Sequence, residues 1–160
     1  MTQSYHVRES VPKLQEAGEE SLYRRAGWLL GLSAPIRSEV DLVDRLEKGL
    51  SVNTVRSVRA RLGLTDEEIY QLVAPRRTLT RREVEGQSLT ADEADRVVRI
   101  ARVAARAQQV FAARPDYAQE WLRTPQQTLG GRSPLQLLGR ESGARAVEEL
   151  LLALEHGFLA

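Results

Sequence analysis

The sequence predicts an all-α fold, and three observations support this prediction. Apolar residues recur three and four positions apart along most of the chain, which places them on one face of a helix. Aromatic residues that favour strands are scarce, with 2 Phe and 4 Tyr among 160 residues. Helix starts are marked by Thr-x-x-Glu patterns at Thr65 and Thr90, in which side chains and backbone amides satisfy one another.

The composition limits the kind of protein this is. A chain of 160 residues is long enough for one ordinary domain or two small ones. It contains no cysteine, so disulfides and thiolate metal sites are excluded. No apolar run approaches the roughly 18 residues of a membrane span, and the first residues lack the layout of a signal peptide. We therefore expect a cytoplasmic protein that needs no cofactor and no metal.

The pattern along the chain divides it into three parts. Residues 1–35 form an N-terminal arm, 36–86 a small helical bundle and 87–160 a C-terminal helical domain. Within the arm, one helix from Glu19 to Leu32 is predicted, with Trp28 beside its apolar side. This helix either packs on the neighbouring domain or pairs with a second copy of the chain.

Four short helices are predicted in the middle part. Ser38 and Ser51 are suitable caps for the first two, and Gly63 is suited to end the second. Thr65 begins the third helix, and Ala74-Pro75 separates it from the fourth. The residues expected to be buried are Val43, Leu46, Leu50, Val55, Val58, Leu62, Ile69, Leu72, Val73 and Leu79.

The last two of these helices have the size and layout of a helix-turn-helix, whose second helix enters the major groove of DNA. Between positions 56 and 82 there are seven arginines against three acidic residues, a balance of +4. Arginine suits DNA contact because its guanidinium reaches two acceptors on guanine or phosphate. The alternative is an ordinary solvated arginine face. The residues predicted to contact DNA are Arg56, Arg59, Arg76, Arg77, Thr80, Arg81 and Arg82.

The C-terminal part is predicted to contain a long helix, a short one and a final one. The long helix begins at Thr90 and runs to about Arg114, and Pro115 starts the next. Ser133-Pro134 caps a short turn. The final helix, with Val147, Leu150, Leu151 and Leu154 on its buried side, ends at Gly157.

Catalytic and ligand-binding interpretations find little support here. Gly130-Gly131 is more typical of a turn than of a phosphate cradle. His156 suits a helix C-terminus better than a metal site, because the other histidine is His6. Adjacent carboxylates on a helix do not face each other, so we expect no catalytic residues and no enzyme activity.

The last third of the chain contains a series of particular residues in a specific order. They are Leu89-Thr90, the segment Glu93 to Arg99, Phe111, Ala118, Trp121-Leu122, Leu129, Gly131, Pro134, Leu137-Leu138, Gly143-Ala144, Val147, Leu151 and Gly157. In this order they resemble the toxin-binding domain of the Xre/MbcA/ParS antitoxins, bacterial partners of RES-domain toxins. The Arg77-Thr78-Leu79 stretch resembles the Xre-type helix-turn-helix of the same family, although Ala74-Pro75 replaces its usual turn glycine.

The resemblance implies a type II antitoxin. Such a protein neutralises a toxin that consumes NAD or transfers ADP-ribose, by docking its C-terminal helix and tail at the toxin active site. It also represses its own operon by binding operator DNA, and it is expected to form a homodimer and a larger complex with the toxin. The toxin-binding residues that the resemblance implies are Glu148, Glu149, Glu155, His156, Gly157, Phe158, Leu159 and Ala160.

Physical chemistry is consistent with that docking. Residues 133–160 carry two arginines against four glutamates, and an acidic surface complements a pocket that binds an anionic dinucleotide. Phe158 and Leu159 follow the end of the last helix, where an exposed apolar segment favours a partner surface. The alternative function is a helix-turn-helix transcriptional regulator whose C-terminal domain dimerises or senses a small ligand. It predicts an apolar cavity within residues 90–160.

Overall fold

A computed structural model describes residues 18–112 and 114–157, and within them the protein is all-α, as predicted. One isolated antiparallel bridge joins Gln126 and Arg132. The elements are α1 (Glu19–Leu29), α2 (Glu39–Glu47), α3 (Asn53–Leu62), α4 (Asp66–Leu72), α5 (Arg76–Val84), α6 (Ala91–Val110), α7 (Pro115–Arg123), a 3-10 helix (Gln127–Leu129), α8 (Pro134–Leu137) and α9 (Glu141–Glu155).

Helix α6 is the centre of the fold. It packs against α1, α2 and α3 from the N-terminal half and against α7 and α9 from the C-terminal half. Its buried residues surround most of the helix, as expected for a helix enclosed by others. Several of them are alanines, which allow neighbouring helices to approach closely. The two halves of the chain therefore share one core around α6.

The predicted helix starts are confirmed by hydrogen bonds. The Ser38 hydroxyl accepts a hydrogen bond from the backbone N–H of Asp41 at 3.1 Å. Thr65, Thr90 and Ser133 each form a complete capping box. Helix α3 begins slightly later than predicted, since Val52 is its N-cap residue.

One prediction about packing and one about the length of a helix are wrong. Val43 was expected in the core, but it is 46% exposed, and Leu42 is buried instead. Helix α2 is rotated so that Leu42 faces the core, and the short apolar pattern could not separate these two faces. The long helix was expected to reach Arg114, but α6 ends at Val110. Phe111 leaves the helical conformation, and its ring packs against Tyr117 and Trp121, at centroid distances of 5.0 and 5.4 Å.

Helix α1, predicted within the N-terminal arm, packs on α6 and α3. Ala26 and Leu29 are completely buried in this contact. The guanidinium of Arg61 lies 4.3 Å from the centroid of the Trp28 ring and donates to the Trp28 carbonyl. Of the two interpretations of this helix, packing on the neighbouring domain is therefore the one observed within the chain. Residues 1–17 of the predicted arm lie outside the described residues.

Candidate nucleic-acid and protein interfaces

Helix α5 presents one face to solvent because Leu79, its buried apolar residue, points toward the core. Leu79 is only 7% exposed and fixes the rotation of the helix. Pro75 precedes the first turn, so the chain enters α5 in an extended conformation. The residues exposed on the outer face are Arg76, Arg77, Thr80, Arg81, Val84 and Glu85, which line a shallow concavity of about 540 Å³.

The arginines of this α5 face are available for a ligand. Arg76, Arg77 and Arg81 form no ion pair with any described residue. Four predicted DNA contacts, these three and Thr80, are thus brought together on one face. Guanidinium groups exposed together on one helix face can each donate hydrogen bonds to phosphate oxygens.

Arg56 and Arg59 lie on α3, beside this face, and both have partners. Arg56 forms an ion pair with Glu83 of α5. Arg59 Nε lies 2.7 Å from Asp66 Oδ1. All four side chains are well exposed, so these ion pairs contribute little to stability, and the arginines can exchange their partners for phosphates at small cost.

Arg82 lies in a different place from the other predicted DNA contacts. Its side chain is 14% exposed, and its Nε lies 2.7 Å from Oε2 of Glu93, whose side chain is 8% exposed. A second contact joins Arg82 Nη2 to Glu93 Oε1 at 3.2 Å. Arg82 therefore holds α5 against α6, and its guanidinium is less accessible than those of the other predicted DNA contacts on α5.

The environment of Glu93 keeps its carboxylate charged. Burial alone raises the pKa of Glu93, but hydrogen bonds from the Thr90 backbone and from Arg82, with the Arg82 charge, outweigh it. The net result is a pKa below the ordinary carboxyl value. Glu93 therefore remains an anion that pairs with Arg82 and caps α6 at neutral pH.

The turn between α4 and α5 needs no glycine. No non-glycine residue in the described ranges adopts a positive φ, so Ala74-Pro75 fits the turn without strain. The Val73 carbonyl accepts a hydrogen bond from Arg96 Nη1 at 3.0 Å, which ties the turn to α6. The departure from the usual glycine thus leaves a well-anchored helix pair.

On α9, two of the predicted toxin-binding residues form ion pairs with arginines of α6. Arg102 Nε donates to Glu148 Oε1 at 2.9 Å, and Arg106 Nη2 donates to Glu155 Oε2 at 2.9 Å. A third ion pair joins Arg99 and Glu141 at 3.0 Å, and the Arg99 hydrogen bond holds the pKa of Glu141 below its ordinary value. This row of ion pairs holds the partly buried Glu148 against α6, so Glu148 is less available to a partner than the sequence suggested. Glu155 is 43% exposed and stays accessible at the end of the helix.

The opposite side of α9 is open to solvent. Leu152 is 45% exposed there, and sequence reasoning assigned it no role. The sequence does indicate that one leucine here is exposed. Residues 150–152 are all leucine, and three successive residues of a helix cannot all face one core. Phe158, Leu159 and Ala160 lie outside the described residues, directly after Gly157. The exposed residues of this outer face are Ser142, Arg145, Glu149, Leu152 and His156.

A cleft of about 720 Å³ lies beside α8 and the start of α9. Its lining is largely polar and includes Gln71, Arg132, Gln136 and Arg140. This differs from the apolar cavity that a small-ligand sensor predicts. Within the described ranges there is no cluster of three potential metal-ligating side chains. No described helix combines the length and the apolar character needed to cross a membrane.

The fold and its exposed faces define a helix-turn-helix protein with a C-terminal helical interaction domain. Residues 41–102 match the family model of the antitoxin Xre-like helix-turn-helix domain. Residues 106–157 match that of the antitoxin Xre/MbcA/ParS C-terminal toxin-binding domain. Together with the similarity to curated relatives, these matches show that the chain belongs to the Xre/MbcA/ParS antitoxin family.

Three relatives illustrate the similarity. Antitoxin Xre of Yersinia enterocolitica is 37% identical over 117 residues, covering 72% of this chain and 79% of that protein. Antitoxin Xre of Pseudomonas putida is 33% identical over 123 residues, covering 77% of this chain and 76% of that protein. A Sphingobium protein named Prs ADP-ribosylating antitoxin is 24% identical over 133 residues, covering 77% of this chain and 83% of that protein.

Proposed function

We propose that this chain is the antitoxin of a type II toxin–antitoxin system with two tasks. It neutralises a RES-domain toxin by docking α9 and the C-terminal tail at the toxin active site. It also binds operator DNA through α5 and represses its own operon. The observation that carries the proposal is the presence of two separate exposed faces, on α5 and on α9, in a chain that matches both family models.

The DNA-binding part rests on the α5 face. Arg76 and Arg77 in the first turn and Arg81 in the last turn form no ion pair with a described residue, and they offer charge to phosphates and forked donors to guanine. A single nine-residue helix spans few base pairs, so a homodimer that presents two such helices would give sufficient contact. We expect the protein to act in the cytoplasm as that homodimer, and as a larger complex with the toxin.

The toxin-binding part rests on the outer face of α9 and the tail beyond it. Leu152 supplies an exposed apolar contact, and Glu149 supplies an exposed charge on the same face. Phe158, Leu159 and Ala160 would extend this surface toward a cleft built for an anionic dinucleotide. The name of the Sphingobium relative links that protein to ADP-ribosylation, which is chemistry that begins from NAD. The antitoxin itself needs no reaction chemistry for this role.

An inhibition assay tests the toxin-binding part. The protein encoded by the adjacent gene, which we expect to contain a RES domain, is purified, and its NAD consumption is measured against increasing antitoxin. The full chain is expected to abolish consumption at stoichiometric amounts, and a chain ending at Gly157 is expected to fail. Equal inhibition by the full and shortened chains would refute docking through the tail.

A substitution on the outer face of α9 extends this assay. Leu152→Ala is expected to raise the inhibitory concentration about tenfold, as for a central apolar contact of an interface. Val43→Ala is the matched control, because Val43 is 46% exposed and Leu152 45%, and they lie on different helices. The control is expected to inhibit like the unmodified chain. Identical behaviour of the two variants would remove α9 from the interface.

A further inference from the structure

Val84 is an apolar side chain left in water at the end of α5. It is 81% exposed, more than Val40, Val43 and Leu152, the other exposed large apolar residues in the described part of the chain. It lies one helical turn after Thr80 and lines the same concavity as the α5 arginines. Leaving an apolar side chain in water forgoes the gain from its burial. Its position beside a DNA-binding face suggests which surface it covers.

The spacing of the exposed α5 residues matches that of the base-contacting residues in a known DNA recognition helix. Arg77, Thr80, Arg81 and Val84 follow the pattern i, i+3, i+4, i+7, which puts them on one stripe of the helix. The homeodomain recognition helix contacts bases through four positions with this same spacing. At 1.5 Å per residue the stripe is about 10 Å long, which corresponds to about three base-pair steps.

The chemistry of Val84 restricts what it can contact. Valine has no hydrogen-bond donor or acceptor, so it cannot bind phosphate or the polar edges of bases. In the major groove, the apolar group that a side chain meets is the 5-methyl of thymine. Arg77 and Arg81 on the same stripe would anchor the helix through phosphate or guanine, which leaves Val84 to contact a neighbouring thymine.

We propose that Val84 is a specificity-determining residue that packs against the 5-methyl group of a thymine in the operator. The proposal rests on the proposed DNA-binding function and adds a base preference to it. One copy of the chain would then select thymine at the position that Val84 reaches. In a two-fold complex, the second copy would select thymine at the symmetric position of the other half-site.

The test compares two forms of one DNA duplex. The region upstream of the gene encoding this chain is amplified with either dTTP or dUTP, so that the duplexes differ in the thymine methyl groups. The dissociation constants of the full chain, of Val84→Ala and of Val40→Ala are measured by fluorescence anisotropy at one salt concentration. Val40 is the matched control, because it is also an exposed valine but lies on α2.

The unmodified chain is expected to bind the uracil duplex at least about fourfold more weakly, the effect of removing one buried methyl group. Val84→Ala is expected to bind the thymine duplex more weakly and to reduce the thymine-to-uracil ratio by about fourfold, whereas Val40→Ala keeps the full ratio. An unchanged ratio in Val84→Ala overturns the inference and indicates that Val84 contacts a protein instead.

The failure of this inference differs from the failure of the proposed function. If the unmodified chain binds neither duplex, the DNA-binding function fails and the assignment of Val84 fails with it. If the chain binds both duplexes equally well, DNA binding stands and the methyl contact alone is overturned. Since Val84 is exposed, its substitution by alanine is not expected to impair folding.

Discussion

Arg82 and Glu93 form an ion pair, with Arg82 Nε 2.7 Å from Glu93 Oε2, that joins the last turn of α5 to the first turn of α6. The same carboxylate accepts a hydrogen bond from the backbone N–H of Thr90 at 2.9 Å. One glutamate therefore begins the central helix and also fixes the helix that carries the proposed DNA face. The orientation of that face depends on a contact that is largely shielded from solvent.

Loss of this ion pair is expected to destabilise the protein. Arg82→Ala leaves a nearly buried carboxylate without its partner, which costs about 3 kcal/mol of unfolding free energy. Urea denaturation followed by circular dichroism measures this change. Arg81→Ala is the control, because Arg81 is exposed, and it is expected to change stability by less than about 0.5 kcal/mol. Equal stability of the two variants would show that the pair contributes nothing.

Acid is expected to weaken the fold through the same glutamate. The pKa values of Glu93 and Glu141 are lowered in the folded chain, below the ordinary value of about 4.3 for glutamate. The stability they contribute is complete above that ordinary value, and it is lost as the pH falls through the folded pKa. Unfolding free energies measured from pH 7 down to pH 3 should decline more steeply for the unmodified chain than for Glu93→Gln. Parallel curves would contradict this origin of the acid sensitivity.

Gly143 lies where the first turn of α9 meets the end of α8. A Cβ atom added there would lie 2.1 Å from the carbonyl oxygen of Leu137, so the backbone would have to move. Gly143→Ala is expected to destabilise the protein by about 3 kcal/mol or more, as for severe overpacking. Gly139→Ala is the control, because its Cβ would meet Leu72 at an ordinary 3.9 Å. Thermal denaturation that gives similar midpoints for both variants would refute the steric account.

The three unpaired arginines of α5 should set the salt dependence of DNA binding. Replacing Arg76, Arg77 and Arg81 by alanine is expected to lower affinity and to reduce the slope of log K against log salt by about 0.9 for each phosphate that is no longer neutralised. A variant that replaces the exposed Arg37, Arg140 and Arg145 removes the same charge elsewhere. Its slope should remain close to that of the unmodified chain. The same fall in both variants would indicate a non-specific charge effect.

Much of the architecture could be predicted from local signals. The caps at Ser38, Thr65, Thr90 and Ser133 depend on residues three positions apart, and the structure has each of them. Buried positions of α3 and α4 followed from helical periodicity in the same way. The burial of Leu42 was not predicted because Leu42 and Val43 are adjacent apolar residues at the edge of the apolar side of α2. Only Leu42 is buried, and Val43 is exposed.

The candidate surfaces were less predictable because they depend on how helices are rotated against each other. Arg82 and Arg81 are identical in type and adjacent, yet the position of Glu93 on α6 buries one and leaves the other exposed. Likewise, Glu148 and Glu149 differ in role because Arg102 approaches from α6 on one side of α9. The residue pattern of one helix does not show which of its charged residues meet an oppositely charged residue on another helix. The sequence therefore predicts which segments are charged but not which of their side chains form ion pairs.

Separating the two tasks of the chain tests its proposed function most directly. Two variants are compared, the triple alanine variant of Arg76, Arg77 and Arg81 and the chain ending at Gly157. Each is assayed for DNA retardation and for inhibition of NAD consumption by the proposed RES-domain toxin. The α5 variant should still inhibit the toxin but no longer retard the upstream DNA, and the shortened chain should do the reverse. The proposal would be contradicted if each variant retained both activities.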